Sequence, residues 1–213
     1  GWLSQCEDGR PPGFGVSEAK TCESFPTSDA GKATLAFEQS CRAGFFGACK
    51  VAAERNQRGK GVTTDMKVVV ELLDLGCPKG WYACEMLGKL YEQGDGIAKD
   101  LDKALLTYGK GCDQNFKRDC FAAARVAEQL GKAEVQRARL ENGCRLGSKL
   151  SCDTLTKQLE AEGLEDEAKA IYADVCSRMR PVDYCDAYVR LGGTLEPGFK
   201  PFKRGKDRDP DEF

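Results

Sequence analysis

Trp81-Tyr-Ala-Cys84-Glu-Met-Leu87-Gly-Lys-Leu90-Tyr91-Glu-Gln-Gly94-Asp-Gly96-Ile-Ala-Lys-Asp100-Leu101-Asp-Lys-Ala104-Leu105-Leu-Thr-Tyr108-Gly-Lys-Gly111-Cys112 reads as helix, loop, helix. Leu87, Leu90 and Tyr91 follow Cys84 at plus three, six and seven, which places one apolar stripe on a helical face. Gly94 and Gly96 break that helix. Asp100 stands where an N-cap belongs, and Leu101, Ala104, Leu105 and Tyr108 form a second stripe that Gly111 is expected to end.

The cysteines at its two ends belong to a wider pattern. There are twelve: Cys6, Cys22, Cys41, Cys49, Cys77, Cys84, Cys112, Cys120, Cys144, Cys152, Cys176 and Cys185. The last ten fall into close pairs with gaps of 8, 7, 8, 8 and 9 residues, and the first members recur at intervals of 36, 35, 32 and 32. A fixed interval of this size marks a repeat architecture, in which each hairpin cannot bury its apolar face alone and must stack on its neighbours. The length of 213 residues fits an array that grows in one dimension.

Composition removes several classes of function. The chain has no histidine, so mixed Cys/His zinc sites and the Ser-His-Asp and Cys-His catalytic families are excluded. No Cys-x-x-Cys supports an all-thiolate metal site, and neither a metal nor another cofactor is expected. Lys and Arg total 32 against 34 Asp and Glu, so no bulk attraction to nucleic acid or anionic lipid is expected. The longest strongly apolar run is Val68-Val69-Val70, far short of the roughly 20 residues of a membrane span. A fully paired cysteine set would place the protein in a periplasm, at a cell surface or outside the cell, and the chain reads as beginning after a removed export signal or a cloning scar.

Leu87-Gly-x-x-Tyr91, then Gly94-x-Gly96-Ile97-x-x-Asp100, then Lys103-Ala104 with Tyr108, resembles the Sel1-like repeat, a relative of the tetratricopeptide repeat. The Cys-x7-Cys spacing is similar to that of the Helicobacter cysteine-rich protein family, exported proteins built of disulfide-stapled Sel1-like repeats. The resemblance runs from about Gly31 to Gly193. It includes Gly59-Lys-Gly61-Val-Thr-Thr-Asp65, although Val68 replaces the usual alanine, and it drifts in later units, where the glycine loop shortens near Gly131 and Gly163. Glu167 to Tyr172 still supplies an amphipathic second helix.

What the resemblance implies is an all-α fold, a right-handed α/α solenoid of Sel1-like hairpins stapled by disulfides, over residues 29–193. Each close pair then joins the end of a second helix to the start of the next first helix: Cys41–Cys49, Cys77–Cys84, Cys112–Cys120, Cys144–Cys152 and Cys176–Cys185. Each such loop removes roughly 2 to 3 kcal/mol of unfolded-state entropy on the chain-entropy account. Residues 1–28 are read as an N-terminal cap closed by Cys6–Cys22. Leu3-Ser4-Gln5-Cys6 matches a bacterial lipid-attachment box only weakly, because Gln5 stands where a small residue belongs. Residues 194–213 are read as a disordered or surface-laid tail.

In related repeats the first helices line a concave recognition surface. Positions one and five after each first-helix cysteine are Lys50 with Glu54, Glu85 with Lys89, Phe121 with Arg125, Asp153 with Lys157, and Asp186 with Arg190. Three of these are acid followed by base at i+4, the order that favours an intrahelical ion pair, and Phe121 is the expected aromatic anchor. The expected function is an exported, non-catalytic scaffold for a protein or peptide partner, monomeric, with no nucleic acid and no membrane span. Two alternatives are a redox or metal-handling protein and a penicillin-binding or β-lactamase-like enzyme. The resemblance to the cysteine-rich family and Ser17-Glu18-Ala19-Lys20, a Ser-x-x-Lys, suggest the enzyme, but neither Ser-Asp-Asn nor Lys-Thr-Gly completes that site.

Overall fold

The computed structural model describes residues 29–79 and 82–201. Expectations for Cys6–Cys22, the cap, the lipid box, Ser17 and Lys20, and the tail beyond Pro201 lie outside these residues. The described residues hold ten α-helices and no strand: α1 (Ala30–Arg42), α2 (Gly47–Gln57), α3 (Met66–Gly76), α4 (Ala83–Gln93), α5 (Leu101–Asp113), α6 (Lys117–Gln129), α7 (Ala133–Arg145), α8 (Lys149–Ala161), α9 (Glu165–Met179) and α10 (Val182–Arg190). A 3₁₀ turn, Cys77–Lys79, follows α3. The even-numbered helices carry the second cysteine of each pair and are the first helices of their hairpins; the odd-numbered are second helices.

The chain divides into two compact units, Gly1–Arg139 and Leu140–Phe213. In the first, Phe37, Leu72, Leu73, Leu87 and Leu90 pack with Ala52, Ala53 and Val69 around the Cys41, Cys49, Cys77 and Cys84 sulfurs. Ala104, Tyr108, Ala123 and Val126 continue the core between α5 and α6. In the second, Val175 and Tyr184 bury Cys144, Cys152, Cys176 and Cys185, and Leu195 and Phe199 pack on the same cluster, so the chain after α10 is laid on the surface as far as it is described.

Disulfides join Cys41–Cys49, Cys77–Cys84, Cys112–Cys120, Cys144–Cys152 and Cys176–Cys185. In the first unit the second helices begin under side-chain caps. Asp29, Asp65 and Asp100 accept the backbone N–H of Lys32, Lys67 and Lys103 at 3.1, 2.8 and 2.9 Å. Gly94 ends α4 at φ 75°. The shortened loops have a local origin: α6 gives way to α7 across residues 130–132, whereas α4 and α5 are separated by residues 94–100.

One expectation is corrected. Gly111 does not end α5, which runs on to Asp113; the left-handed residue after the helix is Asn115, at φ 68°. Gly111 is instead a point of close approach. A Cβ there would lie 2.0 Å from Asp119 Oδ2, so only glycine lets the last turn of α5 meet the first turn of α6.

Candidate functional site

The outward residues of the first helices are best described one unit at a time. In the first unit, Lys50 pairs with Glu54 at 3.5 Å and Lys89 with Glu85 at 2.7 Å, both along their own helix. Phe121 is half-buried and Arg125 is exposed on α6. Arg125 reaches back to the preceding first helix, where its guanidinium grips Glu92 of α4 with both nitrogens, Nη2 to Oε2 at 2.7 Å. The Tyr108 hydroxyl of α5 donates to the same carboxylate at 3.0 Å. Three consecutive helices are thus tied at one carboxylate.

Gly88, the glycine of Leu-Gly-x-x-Tyr, makes this possible. A Cβ at that position would lie 2.5 Å from the Tyr108 ring. Burial pushes the Glu92 carboxyl up, but the hydrogen bonds from Arg125 and Tyr108 outweigh it and hold the group below its usual range. Burial, and then the Glu92 charge, push the Tyr108 hydroxyl far up, so it remains a proton donor to Glu92.

The second unit repeats the arrangement at equivalent positions. Glu160 of α8 accepts from the Tyr172 hydroxyl of α9 and from Arg190 Nη2 of α10, each at 2.8 Å. Glu92 and Glu160 each stand eight residues after a first-helix cysteine; Tyr108 and Tyr172 stand four before a second-helix cysteine; Arg125 and Arg190 stand five after the next one.

Two intrahelical pairs expected from spacing are therefore replaced. Arg190 binds Glu160 and not Asp186, and Asp153 accepts from Lys149 at 2.9 Å and from the Tyr184 hydroxyl and not from Lys157. Lys157 and Asp186 remain exposed. For Arg190 the physical reason is reach: a carboxylate on the neighbouring hairpin, held by a tyrosine, is a better-ordered partner for a guanidinium than one on its own exposed helix face. For Asp153 it is the Tyr184 hydroxyl of the next first helix, which holds the carboxylate beside Lys149. Sequence reasoning missed Glu92, Glu160, Tyr108 and Tyr172 as partners. The recurrence of Glu at plus eight with Tyr at minus four was the available signal.

Asp119 forms a second unexpected feature. It is 1% exposed, one residue before Cys120, and its Oδ1 has no hydrogen-bond partner. Burial, then the charge of Glu85, push its carboxyl up to about 7, with Lys89 opposing. Among the described residues no three Cys, Asp or Glu side chains converge to hold a metal ion, and no helix is long and apolar enough to cross a membrane.

This geometry defines a class: the described residues form an all-α array of disulfide-linked helical hairpins with the Sel1-like repeat fold. The chain is similar to a Sel1 repeat protein from Oxalobacter formigenes, at 18% identity and a TM-score of 0.56, over 71% of this chain and 66% of that one. It is also similar to c5321, a protective antigen present in uropathogenic Escherichia coli strains that displays an SLR fold, at 18% identity and a TM-score of 0.59, over 91% of this chain and 45% of that one. The chain thus spans about two-thirds of the first protein and less than half of the second. No family model matches it, and neither does any curated protein.

Proposed function

We propose that the protein is an exported, non-catalytic scaffold that holds a protein or peptide partner against the outward face of its first helices. The observation that carries this reading is the way each first helix is immobilised. A disulfide fixes its start, and at two joints a carboxylate shared by a tyrosine and an arginine ties it to the helices before it. Such fixation lowers the ordering cost of binding, because side chains on a rigid frame are presented in a fixed pattern. In this reading the contact residues are Lys89 and Phe121 in the first unit and, separately, Lys157 and Asp186 in the second; Arg125 and Arg190 hold the frame. The disulfides support residence in an oxidising compartment.

The test is recovery of partners from envelope extract on immobilised wild type, beside Phe121→Ala and Lys89→Glu. A partner held by this face is lost from both variants while their circular dichroism is unchanged. Equal recovery by all three would remove the first-helix face from consideration.

A further inference from the structure

The first helices of the leading unit start in an unusual way. Phe46, Tyr82 and Phe116 stand at the N-caps of α2, α4 and α6, and none makes a side-chain capping bond. Ser, Thr, Asp or Asn there would stabilise each helix by about 1 kcal/mol. The second helices of the same unit do carry Asp at that place. Tyr82 also sits at φ 58°, a left-handed conformation unfavourable for a bulky residue. Local helix stability therefore does not account for aromatic residues at three consecutive turns.

Core packing does not account for them fully either. Phe45 and Tyr82 are 47% and 51% exposed, and Phe46 and Phe116 are half-buried. Two of the rings meet and lysines stand over two: Tyr82 and Phe116 lie 5.6 Å apart between centroids, Lys50 Nζ lies 5.7 Å from the Tyr82 ring, and Lys79 Nζ lies 5.7 Å from the Phe46 ring. The charge left over at this edge is positive. Lys79, Lys117 and Arg118 are exposed and carry no ion pair among the described residues. The acids nearby are engaged or enclosed: Glu85 with Lys89, Asp113 with Arg139, and Asp119 in the interior.

We propose that this aromatic and cationic edge docks an acidic peptide segment that carries apolar side chains. Its carboxylates meet Lys79, Lys117 and Arg118, and its aromatic or aliphatic groups cover Tyr82 and Phe116. Three cations with no ion pair among the described residues, on a chain with 34 acids to 32 bases, suit a short acidic segment better than a nucleic acid or an anionic membrane, whose binding grows with the number of phosphates neutralised. The edge lies at the turns and the first residues of the first helices. It does not include Lys89 or Phe121, so variants of those two residues separate it from the face proposed above.

The experiment uses the full disulfide-bonded chain and a fluorescein-labelled peptide alternating Glu with Leu and Trp, read by anisotropy at low and physiological salt. Matched peptides replace Glu by Lys, or Leu and Trp by Ser. The expected result is binding of the acidic apolar peptide alone. Combined Lys79→Glu, Lys117→Glu and Arg118→Glu should weaken it by about tenfold or more, three ion pairs each turning repulsive. Tyr82→Asn, which suits the left-handed backbone and removes the ring, should weaken it several-fold with no loss of thermal stability. Lys89→Glu and Phe121→Ala should bind as wild type does. No binding of the acidic peptide, equal binding of the basic one, loss confined to the Lys89 and Phe121 variants, or displacement by a single-stranded oligonucleotide or vesicles of anionic phospholipid would overturn the proposal.

Discussion

Replacing Asp119 by asparagine gives the sharpest test of the packing at the α5–α6 joint. The wild-type carboxyl titrates at about 7 in the folded chain against 3.8 for the free group, a difference of about three pH units. At 1.36 kcal/mol per unit, the ionised folded state is weaker than the protonated one by about 4 kcal/mol. Because the folded pKa is the higher one, the folded chain binds more protons than the unfolded chain between these values. The contribution of this one group to stability is therefore greatest below about pH 4, falls as the pH rises, and reaches its floor above about pH 7.

The Asp119→Asn variant keeps the shape of the side chain and cannot ionise there, so its difference from wild type isolates this one group from every other titration. Guanidinium unfolding followed by circular dichroism, with disulfides intact, should show wild type losing about 4 kcal/mol relative to Asp119→Asn between pH 4 and pH 8. Glu85→Gln, which removes the nearby negative charge, should move the loss to higher pH only if that charge were stabilising the carboxylate; because it repels it, the loss should move to lower pH. Parallel curves for wild type and Asp119→Asn would refute the reasoning, and would mean that water or a neighbouring group satisfies the carboxylate.

Other outcomes follow from the same contacts. Arg125→Ala leaves Glu92, whose side chain is only 12% exposed, without its cation and should cost about 1–3 kcal/mol in chemical denaturation. Arg190→Ala should cost less than about 1 kcal/mol, since Glu160 and Arg190 are 30% and 56% exposed and water replaces the pair. Gly111→Ala forces a methyl group against Asp119 and should destabilise by about 1–3 kcal/mol, with much of the loss recovered in Gly111→Ala/Asp119→Ala, a coupling that a double-mutant cycle measures. The ten described cysteines should give no reaction with a thiol reagent in the native state, while reduction lowers the unfolding midpoint, each loop of eight or so residues contributing roughly 2 to 3 kcal/mol.

The repeat period was plain in the sequence because cysteines and glycines are rare enough to keep their register when the apolar positions drift. Helices α4 and α5 could be read almost residue by residue, since Asp100 and Gly94 act within a few residues of themselves. Gly111 could not. A glycine in a last turn serves either as a terminator or as a clearance for another helix, and only the partner, Asp119, decides between them. The ion pairs of Arg125 and Arg190 were obscured for a similar reason. Their carboxylates lie 33 and 30 residues away. Spacing offers Arg190 the acid at i−4, Asp186, and gives Arg125 only Phe121, so neither true partner shows until the packing of successive hairpins is known. Asp119 itself carries no warning, because an acid in the first turn of a helix is ordinarily a solvated group that complements the dipole.

Each bond of the described set closes only between one hairpin and the next. Oxidative folding can therefore run stepwise along the chain, each of these thiols meeting its proper mate seven to nine residues away and never waiting for a remote segment. Duplication or loss of one whole period adds or removes two cysteines, one near each end of the period, so those that remain still match. An array wired this way can change its number of units across evolution without stranding a sulfur.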